Sequence, residues 1–332
     1  MLTLRENFLE TIKKDGQPEG LCICYTAFKP IPGDPVFQFV RGNRVRGTNS
    51  YDRWGTYIMF PEDQPAATPF VTEENQVIQN IENWRDYVKV PDLVANCSRG
   101  WEAAQKIKAE VNSKEFLTMS IIGTGIFEQL HMLMTFEDTL ANLLLHPDEM
   151  QELIGLITEY RMSYMKLIVE NLHPDVILSH DDWGSRTSML MSPDTWRTFF
   201  KEPYRRLYQY LHDHGVLVMH HSDSYIEPIV EDMEEIGIDV WQGVLPTNNI
   251  PAISKRLNGT MALMGGIDSR IDRADVTEEE IRQEARRCLN EYGHLKHFIP
   301  SITYGGPGTL YPWVEDVIID EIKNYNKEKF GY

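Results

Sequence analysis

The stretch VLVMHHSDSY, residues 216–225, joins an apolar run to two histidines, a serine and an aspartate. A short apolar run without helical spacing is typical of a strand that is buried on both faces. Such a strand belongs to a parallel sheet that helices cover on each side. The polar residues therefore mark the carboxyl end of a buried strand, where parallel α/β barrels place their active sites.

Six further apolar runs alternate with helical patterns along the chain. They cover residues 20–28, 116–125, 175–184, 238–244, 261–268 and 297–306. This alternation is typical of βαβ units and a parallel sheet. We therefore predict an α/β fold, a single (β/α)8 TIM-type barrel that spans residues 1–332 as one domain. A doubly wound open sheet is the alternative, although no G-x-G-x-x-G stretch follows any of the runs.

Residues 1–100 have a different texture from the rest of the chain. FKPIPGDPVFQFVRGN at 28–43 and YDRWGTYIMFPEDQP at 51–65 are rich in proline, glycine and aromatic residues. This composition predicts loops, short strands and hairpin turns after an initial helix at 3–14. We expect this irregular N-terminal part to cover the barrel mouth.

Charge and cysteine content exclude several classes of protein. The net charge is -18, which argues against binding nucleic acid or an anionic membrane surface, since both select for lysine and arginine. The chain contains no run of about 18 apolar residues, so no membrane span is predicted. Four cysteines are too few for a disulfide framework in 332 residues, so the expected location is the cytoplasm.

Titratable residues gather where the predicted strands end. His180, Asp181 and Asp182 end one run, and His221 and Asp223 end the next. Strand parity places His221 with Asp223 on one face and His180 with Asp182 on one face, while Asp181 points the other way. Two such clusters on neighbouring strands favour a catalytic site over isolated hydrogen-bond anchors. Glu128, just after the run that ends in Gly123-Thr124-Gly125, is a further candidate.

Aromatic residues provide candidate walls for a pocket. Tyr25 and Trp54 flank glycine and proline turns, and Tyr304 follows the last apolar run. A flat apolar ligand binds well between such side chains. Burial in the protein core is the alternative interpretation of these residues.

An ordered set of segments resembles the uroporphyrinogen decarboxylase superfamily. The segments are ELIGLITEY (152–160), HPDVILSHDDWG (173–184), LMSPDTWRTFFKEPYRRL (190–207), HGVLVMHHSDSYIEPIVEDMEEIGIDVWQ (214–242) and MGGID (264–268). The element YDRWG at 51–55 adds to the resemblance. It implies a single (β/α)8 barrel and either decarboxylation of uroporphyrinogen or methyl transfer with a corrinoid.

Two branches of that superfamily differ from this chain at their characteristic motifs. Decarboxylases carry an arginine-rich stretch of the type M-R-Q-A-G-R, whereas this chain has LCICYTAFKPIPGD at 21–34; Arg41, Arg44 and Arg46 lie further along. Zinc-dependent thiol methyltransferases carry H-x-C and a second cysteine near the last strand. Here the first motif reads His221-Ser222-Asp223, and no cysteine lies near the last strand.

The remaining branch implies a methyltransferase that takes a methyl group from a methoxylated aromatic and passes it to the cob(I)alamin of a partner corrinoid protein. We expect His221, Asp181, Asp182 and Glu128 to be catalytic, and His180, Tyr25, Trp54 and Tyr304 to bind the aromatic methyl ether. His221 and Asp223 are the expected zinc ligands, and a homodimer is compatible with the family. The alternatives are methyl transfer from methylcorrinoid to a thiol, uroporphyrinogen-type decarboxylation, and a non-catalytic tetrapyrrole-binding barrel.

Overall fold

The computed structural model describes residues 1–64, 66–302 and 311–331. These residues form ten β-strands: β1 (Phe28–Pro30), β2 (Thr48–Tyr51), β3 (Tyr57–Phe60), β4 (Thr68–Pro69), β5 (Leu117–Ile122), β6 (Val176–His180), β7 (Leu217–His221), β8 (Val240–Val244), β9 (Ala262–Ile267) and β10 (Phe298–Ile302).

The α-helices of the same residues follow in chain order: α1 (Leu4–Ile12), α2 (Pro35–Arg41), α3 (Trp84–Tyr87), α4 (Leu93–Cys97), α5 (Glu102–Glu110), α6 (Ile126–Leu133), α7 (Phe136–Leu145), α8 (Pro147–Asn171), α9 (Pro193–Trp196), α10 (Glu202–Asp213), α11 (Val230–Glu235), α12 (Ile250–Leu257), α13 (Glu278–Tyr292) and α14 (Pro312–Phe330). A π-helical turn at Arg197–Lys201 connects α9 to α10.

Seven of the strands form one curled sheet in the order β1-β5-β6-β7-β8-β9-β10. Every neighbouring pair is parallel, with the intervening helices as crossovers. At the two ends of the sheet, the backbone N–H of Cys24 donates to the carbonyl of Pro300 at 3.3 Å. The α/β class and the barrel-type architecture are confirmed, with seven strands among the described residues rather than eight.

The predicted strand at 20–28 is wrong in its bounds. Cys24 has a left-handed backbone (φ 44°), and a turn follows in which the N–H of Phe28 donates to the carbonyl of Tyr25. A left-handed residue reverses the chain direction and cannot continue an extended ladder. The strand therefore begins at Phe28, and the segment before it contributes one hydrogen bond beside β10 instead of a full strand.

Alternate residues of the seven strands fill the interior of the sheet. This inner core holds Phe28, Leu117, Met119, Val176, Leu178, Met219, Val240, Ala262, Met264 and Ile299, together with Phe8 of α1, Cys22, Tyr25 and Ala27. The opposite faces of the strands pack against the helices in a larger outer core. Because apolar side chains fill the amino-terminal part of the interior, polar chemistry is confined to the carboxyl ends of the strands.

The N-terminal part forms a layer of short strands and turns, the elements that its composition predicts. Strands β2, β3 and β4 make a small antiparallel sheet. This layer packs on α8, where the ring centroids of Trp54 and Tyr160 lie 4.8 Å apart and the hydroxyl of Tyr164 donates to Asp34 at 3.2 Å. Within the described part of the chain, no helix is both long and apolar enough to cross a bilayer.

Candidate active site

His180 and His221 lie side by side at the mouth of the curled sheet. They are the last residues of β6 and β7 and pair in register across the two strands. Leu178 and Met219, two residues earlier, belong to the inner core, so both imidazoles face the interior. Their rings stack with centroids 4.4 Å apart. The His221 residue is 2% exposed and the His180 side chain 33%, so solvent reaches the pair from the His180 side.

The Nδ1 atom of each imidazole is engaged by a different acceptor. His180 Nδ1 pairs with a carboxylate oxygen of Glu128 at 3.0 Å, and His221 Nδ1 donates to the amide oxygen of Gln242. An amide oxygen only accepts hydrogen bonds, so this contact puts the proton of His221 on Nδ1. The Nε2 atom of each ring is therefore the nitrogen available to a ligand.

Asp182 joins the two histidines in a compact group of donor atoms. One ligand atom from each of His180, Asp182 and His221 lies within 4.8 Å of the others. Two imidazoles and a carboxylate are a recognised set for catalytic Zn²⁺, which keeps a fourth position open. In metal sites, a hydrogen bond at the second ring nitrogen orients each histidine ligand. The contacts of His180 with Glu128 and of His221 with Gln242 are of this kind. The residues present thus fit a zinc ion.

Charge is distributed unequally between the two imidazoles. Burial by itself would lower the pKa of His180, but the Glu128 carboxylate raises it to about 9. Burial, followed by the neighbouring charge of His180, lowers the pKa of His221 to about 4. Without a metal, His180 is therefore the protonated member and His221 the neutral one at pH 7.

Asp223 stands next to this group. Its backbone N–H donates to Asp182 Oδ1 at 3.0 Å. Burial, followed by the nearby charge of Asp182, raises the pKa of Asp223 to about 7. The three-residue group contains Asp182 rather than Asp223, although Asp223 was one of the two zinc ligands expected from the sequence.

Asp181 faces away from the interior and supports the start of α6. Its carboxylate accepts hydrogen bonds from the backbone N–H groups of Phe127 and Glu128, from Trp183 Nε1 and from the Tyr204 hydroxyl at 2.5 Å. A Cβ at Gly125 would lie 2.0 Å from the Asp181 carboxyl carbon, so this close approach requires glycine. Asp181, which the sequence predicts to be catalytic, thus holds the start of α6 and with it the backbone of Glu128.

Residues that sequence reasoning missed complete the surroundings. Gln242 holds His221, and Arg161 of α8 donates to the carbonyl of Thr124 and to Ser179 Oγ. Gln242 sits on the inner face two residues after Val240, so strand parity alone would have found it. Arg161 lies on the buried face of α8, four residues after Ile157 and four before Met165, and an arginine at such an apolar position is the signal that could have found it.

Of the three aromatic residues predicted to line the pocket, two are buried away from the histidine pair and the third lies outside the described residues. Tyr25 is buried in the inner core against Phe28, with ring centroids 6.2 Å apart. Trp54 is buried against Tyr160 of α8. Tyr304 lies outside the described residues. Cys22, Cys24, Cys97 and Cys288 are buried free thiols, none of them in the His180–Asp182–His221 group.

The sequence profile of the uroporphyrinogen decarboxylase (URO-D) family matches residues 53–324. The chain belongs to this family. The match includes the N-terminal layer from Arg53 onward as well as every strand of the curled sheet except β1. A comparison with curated protein sequences found no significant match.

Among solved structures, a methyltransferase from Methanosarcina mazei is similar over 98% of this chain and 99% of its own, with a TM-score of 0.70 and 16% sequence identity. At that identity the likeness establishes the fold alone. A sugar phosphate isomerase/epimerase from Parabacteroides distasonis matches 70% of this chain and 77% of its own at 11% identity, with a TM-score of only 0.32.

Proposed function

We propose that this chain is a methyltransferase that removes the methyl group of a methoxylated aromatic and transfers it to cob(I)alamin carried by a partner corrinoid protein. His180, Asp182 and His221 would hold a zinc ion at the barrel mouth. The M. mazei protein with the same fold is a methyltransferase, which supports the reaction class.

The observation that carries the proposal is the His180–Asp182–His221 group with both Nδ1 atoms engaged and no thiolate beside it. All four cysteines are buried and none belongs to this group, so the chain lacks the cysteines that characterise the thiol methyltransferases. Transfer to cob(I)alamin needs no cysteine of the enzyme, since the reduced cobalt is itself the nucleophile.

The reaction breaks the O–CH3 bond and forms a Co–CH3 bond, and the phenolate oxygen that departs takes up one proton. When bound, zinc would supply a Lewis acid for the ether oxygen. Glu128 and Gln242 orient the two imidazoles that would hold the zinc ion. Asp223, fixed next to Asp182, is the carboxyl group that we assign to proton delivery.

Methyl transfer to free cob(I)alamin tests the proposal directly. The purified zinc-loaded protein is mixed anaerobically with cob(I)alamin and a panel of 2-methoxyphenol, vanillate and syringate, and the visible spectrum reports methylcobalamin. We expect one zinc per chain and turnover of at least one methoxyarene. Absence of turnover across the panel, with a partner corrinoid protein also supplied, would contradict the proposal.

Replacing His221 by alanine should reduce turnover by about a thousandfold or more, because the variant loses a metal ligand. The matched control is His214→Ala, which removes an exposed histidine at the end of α10, bonded to the carbonyl of Tyr210. The control should retain full activity and zinc. Methylation of a thiol such as 2-mercaptoethanol from methylcobalamin, without methoxyarene turnover, would favour the thiol methyltransferase instead.

A further inference from the structure

A cavity in the N-terminal layer is lined by two arginines and two aromatic rings. Its volume is about 460 Å³, and it lies between α2 and β3. The lining residues are Phe37, Gln38, Arg41, Gly42, Arg44, Phe60, Ala66 and Ala67. None of them belongs to the His180–Asp182–His221 group, so this cavity is separate from the candidate active site.

Arg41 and Arg44 are half-buried cations without a carboxylate partner among the described residues. Twelve other arginines there form ion pairs with acidic side chains, whereas these two form none within 4 Å. The negative charge of Asp52 acts to raise the pKa of Arg44, but the two do not form an ion pair. Asp52 Oδ1 instead accepts hydrogen bonds from the backbone N–H groups of Trp54 and Thr56.

The lining of the cavity carries two positive charges and no negative one, since Arg41 and Arg44 are its only charged residues. Asp34, Glu62 and Asp63 lie nearby in the sequence but do not line it. Burial lowers the pKa of both Arg41 and Arg44, and the charge of Arg41 lowers that of Arg44 further. Two neighbouring cations with reduced hydration are costly unless an anion compensates them.

The apolar part of the lining restricts the kind of anion. The Arg41 guanidinium stacks 4.4 Å from the Phe37 ring centroid, and the Arg46 guanidinium lies 5.4 Å from that of Phe60. Stacking on an aromatic ring leaves the edge of a guanidinium free for two parallel hydrogen bonds to an oxyanion. The volume is in the range of organic ligand sites and exceeds what an inorganic ion fills.

We propose that the Arg41–Arg44 cavity binds an aromatic oxyanion, a ring that bears a carboxylate or a phosphate group. The oxyanion lies between the two guanidinium groups, and the ring packs against Phe37 and Phe60. This inference goes beyond the proposed methyl transfer and does not depend on it, because the two sites share no residue.

Titration calorimetry at low ionic strength tests this site with four probes: benzoate, phenyl phosphate, benzamide and inorganic phosphate. We expect benzoate or phenyl phosphate to bind and the uncharged benzamide not to. Which of the two anions binds more tightly distinguishes a carboxylate ligand from a phosphate ligand. Binding should weaken as salt is added, since the contact is ionic and partly exposed.

Arg41→Gln and Arg44→Gln should each weaken binding by about tenfold or more, and Arg41→Lys by less, because lysine keeps the charge but loses the paired hydrogen bonds. The matched control is Arg53→Gln, an exposed arginine of the same layer that stacks on Phe39 and does not line the cavity. It should bind like the unaltered protein.

Three results would overturn the proposal: no binding of either aromatic anion at millimolar concentration, equal binding by Arg41→Gln, Arg44→Gln and the unaltered protein, or equal affinity for inorganic phosphate and phenyl phosphate. The His221→Ala variant should bind the aromatic anion as the unaltered protein does, because His221 does not line the cavity. The binding test therefore gives its answer whether or not the methyl-transfer proposal holds.

Discussion

Gln242 is a residue whose role depends on the neighbouring strand. It pairs in register with His221, and its amide oxygen fixes the imidazole proton on Nδ1. Its amide nitrogen is buried without a hydrogen-bond partner among the described atoms. An unpaired buried N–H costs free energy, so a water or a substrate oxygen would be held there.

Replacing Gln242 by leucine should weaken zinc binding by about 10- to 100-fold, because His221 loses the contact that sets its tautomer and orientation. Gln242→Glu keeps an acceptor at Nδ1 and should restore most of the affinity. Competition with a chromogenic chelator measures both. Equal zinc affinity in Gln242→Leu and the unaltered protein would mean that Gln242 does not position His221.

At the scale of elements, the start of α6 depends on one carboxylate. The N–H group of Phe127 donates to Asp181 Oδ2 and that of Glu128 to Oδ1, so Asp181→Asn makes one of these two N–H groups face a donor amide. We expect a loss of about 3 kcal/mol in the free energy of unfolding, measured with urea. The adjacent change Asp182→Asn should cost little stability but remove zinc. If the two variants lost equal stability, the assignment of separate roles would fail.

Helix α1 is attached to the sheet through Asp175, just before β6. Its carboxylate accepts from Arg5 at 2.7 Å and from the backbone and hydroxyl of Thr118. Burial by itself would raise the pKa of Asp175, but the hydrogen bond from Arg5 and those from Thr118 lower it below its usual value.

Because the folded pKa of Asp175 is depressed, its contribution to stability is complete above the unfolded value of about 4 and is lost as the pH falls through the folded value. Asp175→Asn should therefore be less stable than the unaltered protein by about 1–2 kcal/mol at pH 7, and the gap should narrow below pH 4. Urea unfolding at several pH values measures this gap. If the difference in unfolding free energy between Asp175→Asn and the unaltered protein did not change with pH, the ionised Asp175 carboxylate would not be the source of that stability.

For the whole molecule, metal binding should be linked to stability. His180 and Asp182 lie on and just after β6, and His221 ends β7, so zinc would tie neighbouring strands together only in the folded state. Free zinc at about 100 times its dissociation constant adds about 2.7 kcal/mol, which raises the Tm by a few degrees. Calorimetry with zinc and with a chelator measures the shift. An equal shift in His221→Ala would place the zinc elsewhere.

The sequence predicted the parts of this fold that local periodicity encodes. The apolar runs located six of the seven sheet strands, since a strand buried on both faces is mostly apolar along its length. The strand at 20–28 was misplaced, because the left-handed turn at Cys24 is set by packing beside β10 and carries no glycine or proline signal.

For the candidate site, the sequence by itself determined that His180 and Asp182 share a face of one strand end and His221 and Asp223 a face of the next, since the two-residue period of a strand is local. That His180 and His221 lie side by side on the inner face was decided by the register of the two strands. Only the tertiary structure decided their partners. Glu128 reaches His180 across 52 residues and Gln242 reaches His221 across 21. Strand register brings Gln242 to His221, and the position of α6 after β5 brings Glu128 to His180. The order of residues in one strand contains neither relation.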